Sequence, residues 1–164
     1  LTKAKDYPTL LRAMLQLPDN YKLVIIGEGQ ERGLIENIII EYKLSSRVSL
    51  IGRHDDVNAF YSACDLFVIS SCWEGFGLVV AEAMSCERPV IGTDAGGVRE
   101  VIGNDSFIVP ISSPIKLAEK IVEVTHFGQK QIVEIGYDNR QHVLRNFDIN
   151  SIAKQWLGIY KFDS

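Results

Sequence analysis

The sequence predicts an α/β fold, a Rossmann-like parallel sheet with helices on both faces. Short runs rich in Val and Ile alternate with amphipathic helical patterns roughly every 20 to 25 residues, which is typical of βαβ units. The chain has 164 residues, of which 46% are hydrophobic and 23% charged, an ordinary globular composition. At this length we expect one well-packed domain rather than two.

Elements in the first part of the chain follow this alternation. Pro8 and the Leu and Met spacing after it predict a first helix, because proline is favoured in a helix's first turn. Asp55 or Asp56 is expected to cap a later helix over residues 58–64. Between these helices the pattern predicts a strand, a helix and a strand, over residues 21–26, 34–42 and 48–51.

The centre of the chain is a predicted strand, loop and helix that carry two glutamates. Residues 65–69 are an apolar run of strand length, and a helix is predicted to begin near Gly77. Unpaired N–H groups at a helix start favour an anion, and glycine lets the backbone approach a ligand. Glu74 lies in the loop, whereas Glu82 lies on the helix, facing outward or into a cleft. The helix's inward stripe consists of Val79, Val80, Ala83 and Met84.

A simpler interpretation of this stretch stays open. A tight strand–helix turn with one solvated glutamate would have the same spacing, because glycine is common in turns of every kind. Spacing alone does not distinguish a ligand-binding loop from such a turn.

The second half of the chain continues the alternation and ends in helices. Gly96 and Gly97 form a predicted turn between a buried strand and a helix. Ser113 is expected to be the N-cap of a later helix, with Pro114 in its first turn. The predicted strands cover residues 88–93 and 106–110, and the later helices cover residues 114–124, 132–144 and 152–160.

A Gly-x-Gly pattern after the first strand raises the possibility of a dinucleotide site. Gly27, Gly29 and Gly33 are spaced GxGxxxG rather than GxGxxG. The next strand ends in Gly52-Arg53 and offers no acidic residue for a ribose. Because Arg53 would suit a 2′-phosphate, an NADP-binding domain stays an alternative.

Composition argues against several functional classes. The net charge is −4 and no Lys/Arg-rich block is present, so no nucleic-acid partner is expected. The three cysteines, Cys64, Cys72 and Cys86, form no CxxC pair, which fits a reducing cytosol better than disulfides or a zinc site. The three histidines are scattered and no Asp-x-Asp pair occurs, so we expect neither a metal site nor a cofactor. No apolar run reaches membrane-spanning length.

The central stretch also resembles a known family. The run from Glu74 to Glu82 begins Glu-Gly-Phe-Gly and resembles the E-x7-E signature of retaining glycosyltransferases with the GT-B fold. The segment ending in Lys5, the Gly-x-Gly turn and the Gly-Gly-x-x-Glu turn at Gly96 are similar to further segments of that family. The resemblance implies the C-terminal, donor-binding half of an enzyme that moves a sugar from a nucleoside diphosphate sugar with retention of configuration.

The resemblance implies a role for each candidate residue. Lys5 and Glu74 are the catalytic candidates: Lys5 would bind the diphosphate, and Glu74 would position the donor sugar and stabilise its developing charge. Glu82 would accept hydrogen bonds from both ribose hydroxyls, and Arg53 would lie beside the base. The remaining donor-binding candidates act through their backbone or line the same sheet edge: Gly27, Gly75, Phe76, Gly77, Leu78 and Gly96.

The family likeness also sets expectations for the whole enzyme. The chain is expected to be a fragment that lacks an N-terminal acceptor domain and the first strand of its own domain, and to be inactive alone. The full enzyme would be a hexosyltransferase acting on a saccharide or lipid-linked acceptor in bacterial surface-polysaccharide synthesis. It would work in the cytoplasm, either free or associated with the inner face of the membrane. Besides the NADP-binding domain, two alternatives stay open: a non-catalytic nucleotide-binding module, and a phosphorylase- or epimerase-type relative with the same fold.

Overall fold

All strand pairs in the computed structural model, which describes residues 1–160, are parallel. Strand β1 (Leu23–Ile25) pairs with β2 (Val48–Leu50). Strands β3 (Phe67–Ile69), β4 (Val90–Thr93) and β5 (Ile108–Val109) form a second sheet in that order. The predicted α/β class with parallel strands is therefore confirmed, although the described strands form two sheets rather than one.

Helices connect the strands and follow the last of them. Two short 3₁₀ turns, Lys3–Lys5 and Asp105–Phe107, precede α1 and β5. No helix formed by residues 1–160 combines the length and hydropathy needed to cross a bilayer. The helices of the described chain are α1 (Tyr7–Met14), α2 (Arg32–Glu41), α3 (Asn58–Ala63), α4 (Leu78–Ser85), α5 (Val98–Ile102), α6 (Pro114–Thr125), α7 (Gln129–Asn146) and α8 (Ile149–Tyr160).

The apolar stripe predicted for the central helix packs into the core. Val80, Ala83 and Met84 of α4 are completely buried, and Val79 is half-buried. Full burial of one such aliphatic side chain contributes about 1.5–3 kcal/mol, so this stripe fixes the position of α4. The outward position of Glu82 follows, and its side chain is exposed.

The central strand is less buried than its sequence predicts. Ile69 is buried, but Phe67 and Val68 are only half-buried, and Val24 of β1 is 51% exposed. The reason is that β1 and β3 each end a sheet among the described residues, so each has one unpaired edge.

The last strand and two helix caps also differ from the predictions. Only two residues pair in β5, because residues 105–107 form a 3₁₀ turn in which the Asn104 side chain accepts from the Ser106 N–H at 3.1 Å. Ser113 is the N-cap of α6, but only its backbone carbonyl accepts a helix N–H, that of Leu117 at 3.0 Å. At α3, Asp56 accepts the Asn58 N–H at 3.1 Å, while the cap position itself is Val57.

Candidate active site

The candidate site forms where the N-terminal 3₁₀ turn contacts the loop between β3 and α4. The Cys72 N–H donates to the Ala4 carbonyl at 2.8 Å. The buried Ser70 hydroxyl donates to the Lys5 carbonyl at 2.8 Å, a contact between residues 65 positions apart. These bonds hold the backbone of Lys5 at the carboxyl end of β3.

Lys5 and Glu74, the two catalytic candidates, are brought into direct contact. Nζ of Lys5 forms an ion pair with Oε2 of Glu74, and the Ser71 hydroxyl donates to the same oxygen at 3.4 Å. The Lys5 and Glu74 side chains are 33% and 18% exposed, so solvent still reaches the pair. Sequence reasoning missed Ser71, although its position directly after a strand at the sheet's carboxyl edge was an available signal.

The glycine turn before α5 packs against the Glu74 loop and donates a hydrogen bond to it. The Gly97 N–H donates to the Glu74 carbonyl at 3.2 Å. Gly96 has φ +55°, and a Cβ there would collide with the same carbonyl oxygen; a Cβ on Gly97 would collide with the Gly75 carbonyl. Gly96 therefore lies close against the Glu74 loop, and its approach to a ligand stays a prediction.

The start of α4 has free backbone donors beside this loop. Gly77 is the N-cap with φ +88°, and its carbonyl accepts the Val80 N–H at 2.8 Å. The N–H groups of Leu78 and Val79 have no acceptor within residues 1–160. Such groups give a helix N-terminus partial positive charge. Phe76 is 38% exposed and packs edge-on against Phe147, with ring centroids 5.2 Å apart.

Glu82 is held by a residue that sequence reasoning did not single out. The Tyr61 hydroxyl donates to Oε2 of Glu82 at 2.9 Å. Burial, together with the Glu82 carboxylate, raises the pKa of the Tyr61 hydroxyl, so Tyr61 remains a protonated donor. Tyr61 lies on the six-residue helix α3, which is too short for a periodic pattern to mark which side chain faces α4.

Arg53 and Gly27 lie on the loops after β2 and β1, and within residues 1–160 neither makes a hydrogen bond or ion pair with Glu74 or Glu82. The Arg53 side chain is 83% exposed, and its Nε lies 3.7 Å from Oδ1 of Asp55. The Gly27 N–H donates to the Gly52 carbonyl at 2.7 Å, which joins the two loops. Within residues 1–160, Arg53 makes no hydrogen bond or ion pair with Lys5, Glu74 or Glu82.

The loop after β1, which carries the Gly-x-Gly pattern, packs against Leu1. The backbone nitrogen of Leu1 donates to the Glu28 carbonyl, and the Leu1 carbonyl accepts the Glu31 N–H at 3.2 Å. A Cβ on Gly29 would collide with the Leu1 backbone. These contacts give the Gly-x-Gly pattern a packing role next to α2.

A depression of about 300 Å³, lined by Lys3, Asp6 and Cys72 among others, lies beside the N-terminal 3₁₀ turn. Across residues 1–160, no group of three or more His, Cys, Asp or Glu side chains is arranged to hold a metal ion. A depression of about 520 Å³ lies around Asp19, Lys22 and Arg47, at the amino ends of β1 and β2. It is therefore at the opposite edge from the Lys5–Glu74 pair.

Comparison with known proteins identifies the family to which this chain is similar. Residues 1–141 match the model of the family described as Glycosyl transferases group 1. The chain is 30% identical over 141 residues to N-acetyl-alpha-D-glucosaminyl L-malate synthase of Bacillus anthracis, which covers 85% of this chain and 37% of that protein. It is 35% identical over 108 residues to N-acetylgalactosamine-N,N'-diacetylbacillosaminyl-diphospho-undecaprenol 4-alpha-N-acetylgalactosaminyltransferase of Campylobacter jejuni, covering 65% of this chain and 30% of that protein.

A solved structure shares the fold over nearly the whole chain. The crystal structure of HepE of Anabaena in complex with UDP and glucose superimposes with a TM-score of 0.87 at 26% identity. The match covers 98% of this chain and 46% of that one. The chain thus spans 30% to 37% of the length of the two curated relatives and less than half of this structure.

Proposed function

Because this chain belongs to the glycosyl transferases group 1 family and has the α/β fold of its GT-B neighbours, we propose that it is the donor-binding half of a retaining glycosyltransferase. Its donor is a nucleoside diphosphate sugar. The observation that carries the proposal is the Lys5–Glu74 ion pair at the carboxyl end of β3, beside the free N–H groups of α4. Ligands of open parallel sheets bind beyond this end of the strands.

Sugar transfer requires stabilisation of a departing diphosphate. The Lys5 ammonium has three donors, so it can bind a phosphate oxygen while it keeps its contact with Glu74. The N–H groups of Leu78 and Val79 add the partial charge of a helix N-terminus. Together they supply preorganised electrostatic stabilisation to the leaving group, without a metal ion.

The two glutamates act on different parts of the donor. Glu74 lies next to the cation that we assign to the diphosphate. We therefore assign its carboxylate to the neighbouring sugar, where it orients the sugar hydroxyls and stabilises positive charge at the anomeric carbon. Glu82 accepts hydrogen bonds from the ribose hydroxyls. Its carboxylate has two oxygens, and within residues 1–160 only Oε2 receives a hydrogen bond, so acceptor positions are left for the ribose. Arg53 contributes from the loop after β2, beside the base.

The acceptor binds to a second domain of the whole enzyme. A chain that spans 30% to 37% of its curated relatives leaves room for that domain. The Campylobacter relative is named for transfer to a diphospho-undecaprenol compound. By analogy, we propose a saccharide or lipid-linked acceptor here, in bacterial surface-polysaccharide synthesis at the inner face of the membrane.

Calorimetric titration with UDP, GDP and ADP tests this function. We expect one of the three to bind the chain, and Lys5→Ala and Glu82→Ala each to weaken that binding. If none of the three binds at millimolar concentration, the chain is not a donor-binding domain.

A further inference from the structure

We propose that Tyr61 is a positioning residue for Glu82. The hydroxyl of this buried residue holds the Glu82 carboxylate in the orientation that receives hydrogen bonds from the ribose hydroxyls of a nucleoside diphosphate. The inference rests on the proposed function, because that function assigns Glu82 to the ribose. Neither the family signature nor the sequence periodicity assigns this role to Tyr61.

The hydrogen bond joins a fixed donor to a side chain that would otherwise be mobile. Tyr61 is 8% exposed, whereas Glu82 lies on the outward face of α4 and is exposed. A solvated glutamate samples several rotamers, and each one points the carboxylate in a different direction. The 2.9 Å bond from the Tyr61 hydroxyl to Oε2 selects one of them.

The position of the Tyr61 ring is itself set by packing. The ring contacts Phe67 of β3 edge-on, with centroids 5.5 Å apart and planes at 73°. On the other side of the bond, α4 is anchored by the fully buried Val80 and Met84. Both ends of the hydrogen bond are therefore attached to the core, which is how a binding group is preorganised.

A tyrosine orients Glu82 without cancelling its charge. Glu74 is paired with the ammonium of Lys5, but the partner of Glu82 is a neutral hydroxyl. No other group within residues 1–160 donates to the Glu82 carboxylate, so Oε1 and one lone pair of Oε2 are left for a ligand. An ionised carboxylate makes stronger hydrogen bonds to hydroxyls than a neutral acceptor does.

Tyr61→Phe removes the hydroxyl and keeps the ring packing. Wild type and variant are titrated with whichever of UDP, GDP and ADP binds tightest, and with the 2′,3′-dideoxy form of the same nucleotide. We expect Tyr61→Phe to weaken the ribonucleotide about threefold to tenfold and the dideoxy form less than about twofold. In the Glu82→Ala background, Tyr61→Phe should cause no further loss, because the two residues act through one contact.

Tyr21→Phe is the matched control. The Tyr21 hydroxyl also makes a side-chain hydrogen bond, to Oγ1 of Thr125 at 2.7 Å, but Tyr21 precedes the amino end of β1, whereas the proposed site lies at the carboxyl ends of the strands. Tyr21→Phe should leave nucleotide affinity unchanged, and the melting temperatures of both variants are measured alongside the titrations.

The possible failures are distinguishable. If Tyr61→Phe weakens both nucleotides equally, or if its effect adds to that of Glu82→Ala, Tyr61 is a structural residue and the inference is wrong. The same holds if Glu82→Ala loses affinity and Tyr61→Phe does not. If wild type binds none of the three nucleotides, or Glu82→Ala binds as tightly as wild type, the proposed function fails and the inference fails with it.

Discussion

Lys5 and Glu74, 69 positions apart in the sequence, form an ion pair at the carboxyl end of β3. The pair does not depend on two flexible side chains meeting by chance, because the backbone on each side is fixed. The Cys72 N–H and the Ser70 hydroxyl hold the N-terminal turn, and the Gly97 N–H holds the Glu74 carbonyl. In the unliganded protein the ammonium that we assign to the diphosphate is thus already in place.

Lys5→Ala should weaken binding of a nucleoside diphosphate and have little effect on the nucleoside. A charge-assisted hydrogen bond to phosphate is worth about 1.5–3 kcal/mol, which corresponds to roughly tenfold to hundredfold in affinity. The measurement is calorimetry with UDP and uridine, or with the equivalent pair for the preferred base. Lys22→Ala is the control, because Lys22 bonds a backbone carbonyl at the amino end of β1. If Lys5→Ala weakens the affinity for diphosphate and nucleoside equally, Lys5 does not bind the diphosphate.

Gly96→Ala should destabilise the domain and displace the Glu74 loop. A non-glycine residue at φ +55° is strained, and its Cβ would collide with the Glu74 carbonyl oxygen. We expect the melting temperature to fall by about 3–8 °C, as measured by circular dichroism.

Gly33→Ala provides the comparison for that experiment. Gly33 lies in α2, and a Cβ there meets nothing within 4 Å. Because alanine is the better helix former, this variant should melt at or slightly above the wild-type temperature. A Gly96→Ala protein that melts like wild type would show that the loop tolerates the extra carbon and that the turn does not clamp Glu74.

Donor binding should not require a divalent metal. Lys5 and the N–H groups of α4 supply the positive charge beside the proposed diphosphate. We expect the dissociation constant of the preferred nucleotide to change less than about twofold after dialysis against EDTA. Loss of binding in EDTA that magnesium or manganese restores would require a different model of the site.

The spacing of apolar residues predicted the helices and strands, because the face that a helix or strand buries is set by residues close together in the sequence. The apolar stripe Val79, Val80, Ala83 and Met84 has helical spacing, so α4 and the outward position of Glu82 were visible in the sequence. The two sheets were not, because strand pairing depends on partners distant in the chain. The half-buried state of β3 has the same cause.

The candidate site required information that spacing does not contain. The resemblance to the family predicted roles for Lys5 and Glu74, and in the folded chain these two side chains are in contact. Tyr61 was missed because its partner lies on another helix and its own helix is short. Gly96 was selected, but its contact with the Glu74 carbonyl exists only in the folded chain.

Stability should be retained when either glutamate is changed to alanine. Both side chains lie outside the buried stripe of α4, and solvent reaches the partly buried Lys5–Glu74 pair, so we expect either loss to have a small effect on the free energy of unfolding. Each variant should therefore melt cooperatively within a few degrees of wild type, which is checked before any titration.

The most direct test of the account is calorimetry of the bare nucleoside diphosphate on Glu82→Ala and Glu74→Ala. Every donor and product shares the ribose, so loss of the Glu82 carboxylate should weaken the preferred nucleotide roughly tenfold to hundredfold. Glu74 is assigned to the sugar, which this ligand lacks, so Glu74→Ala should bind almost as wild type does. If Glu82→Ala binds as tightly as wild type, or Glu74→Ala alone loses the nucleotide, the roles assigned to the two glutamates are wrong.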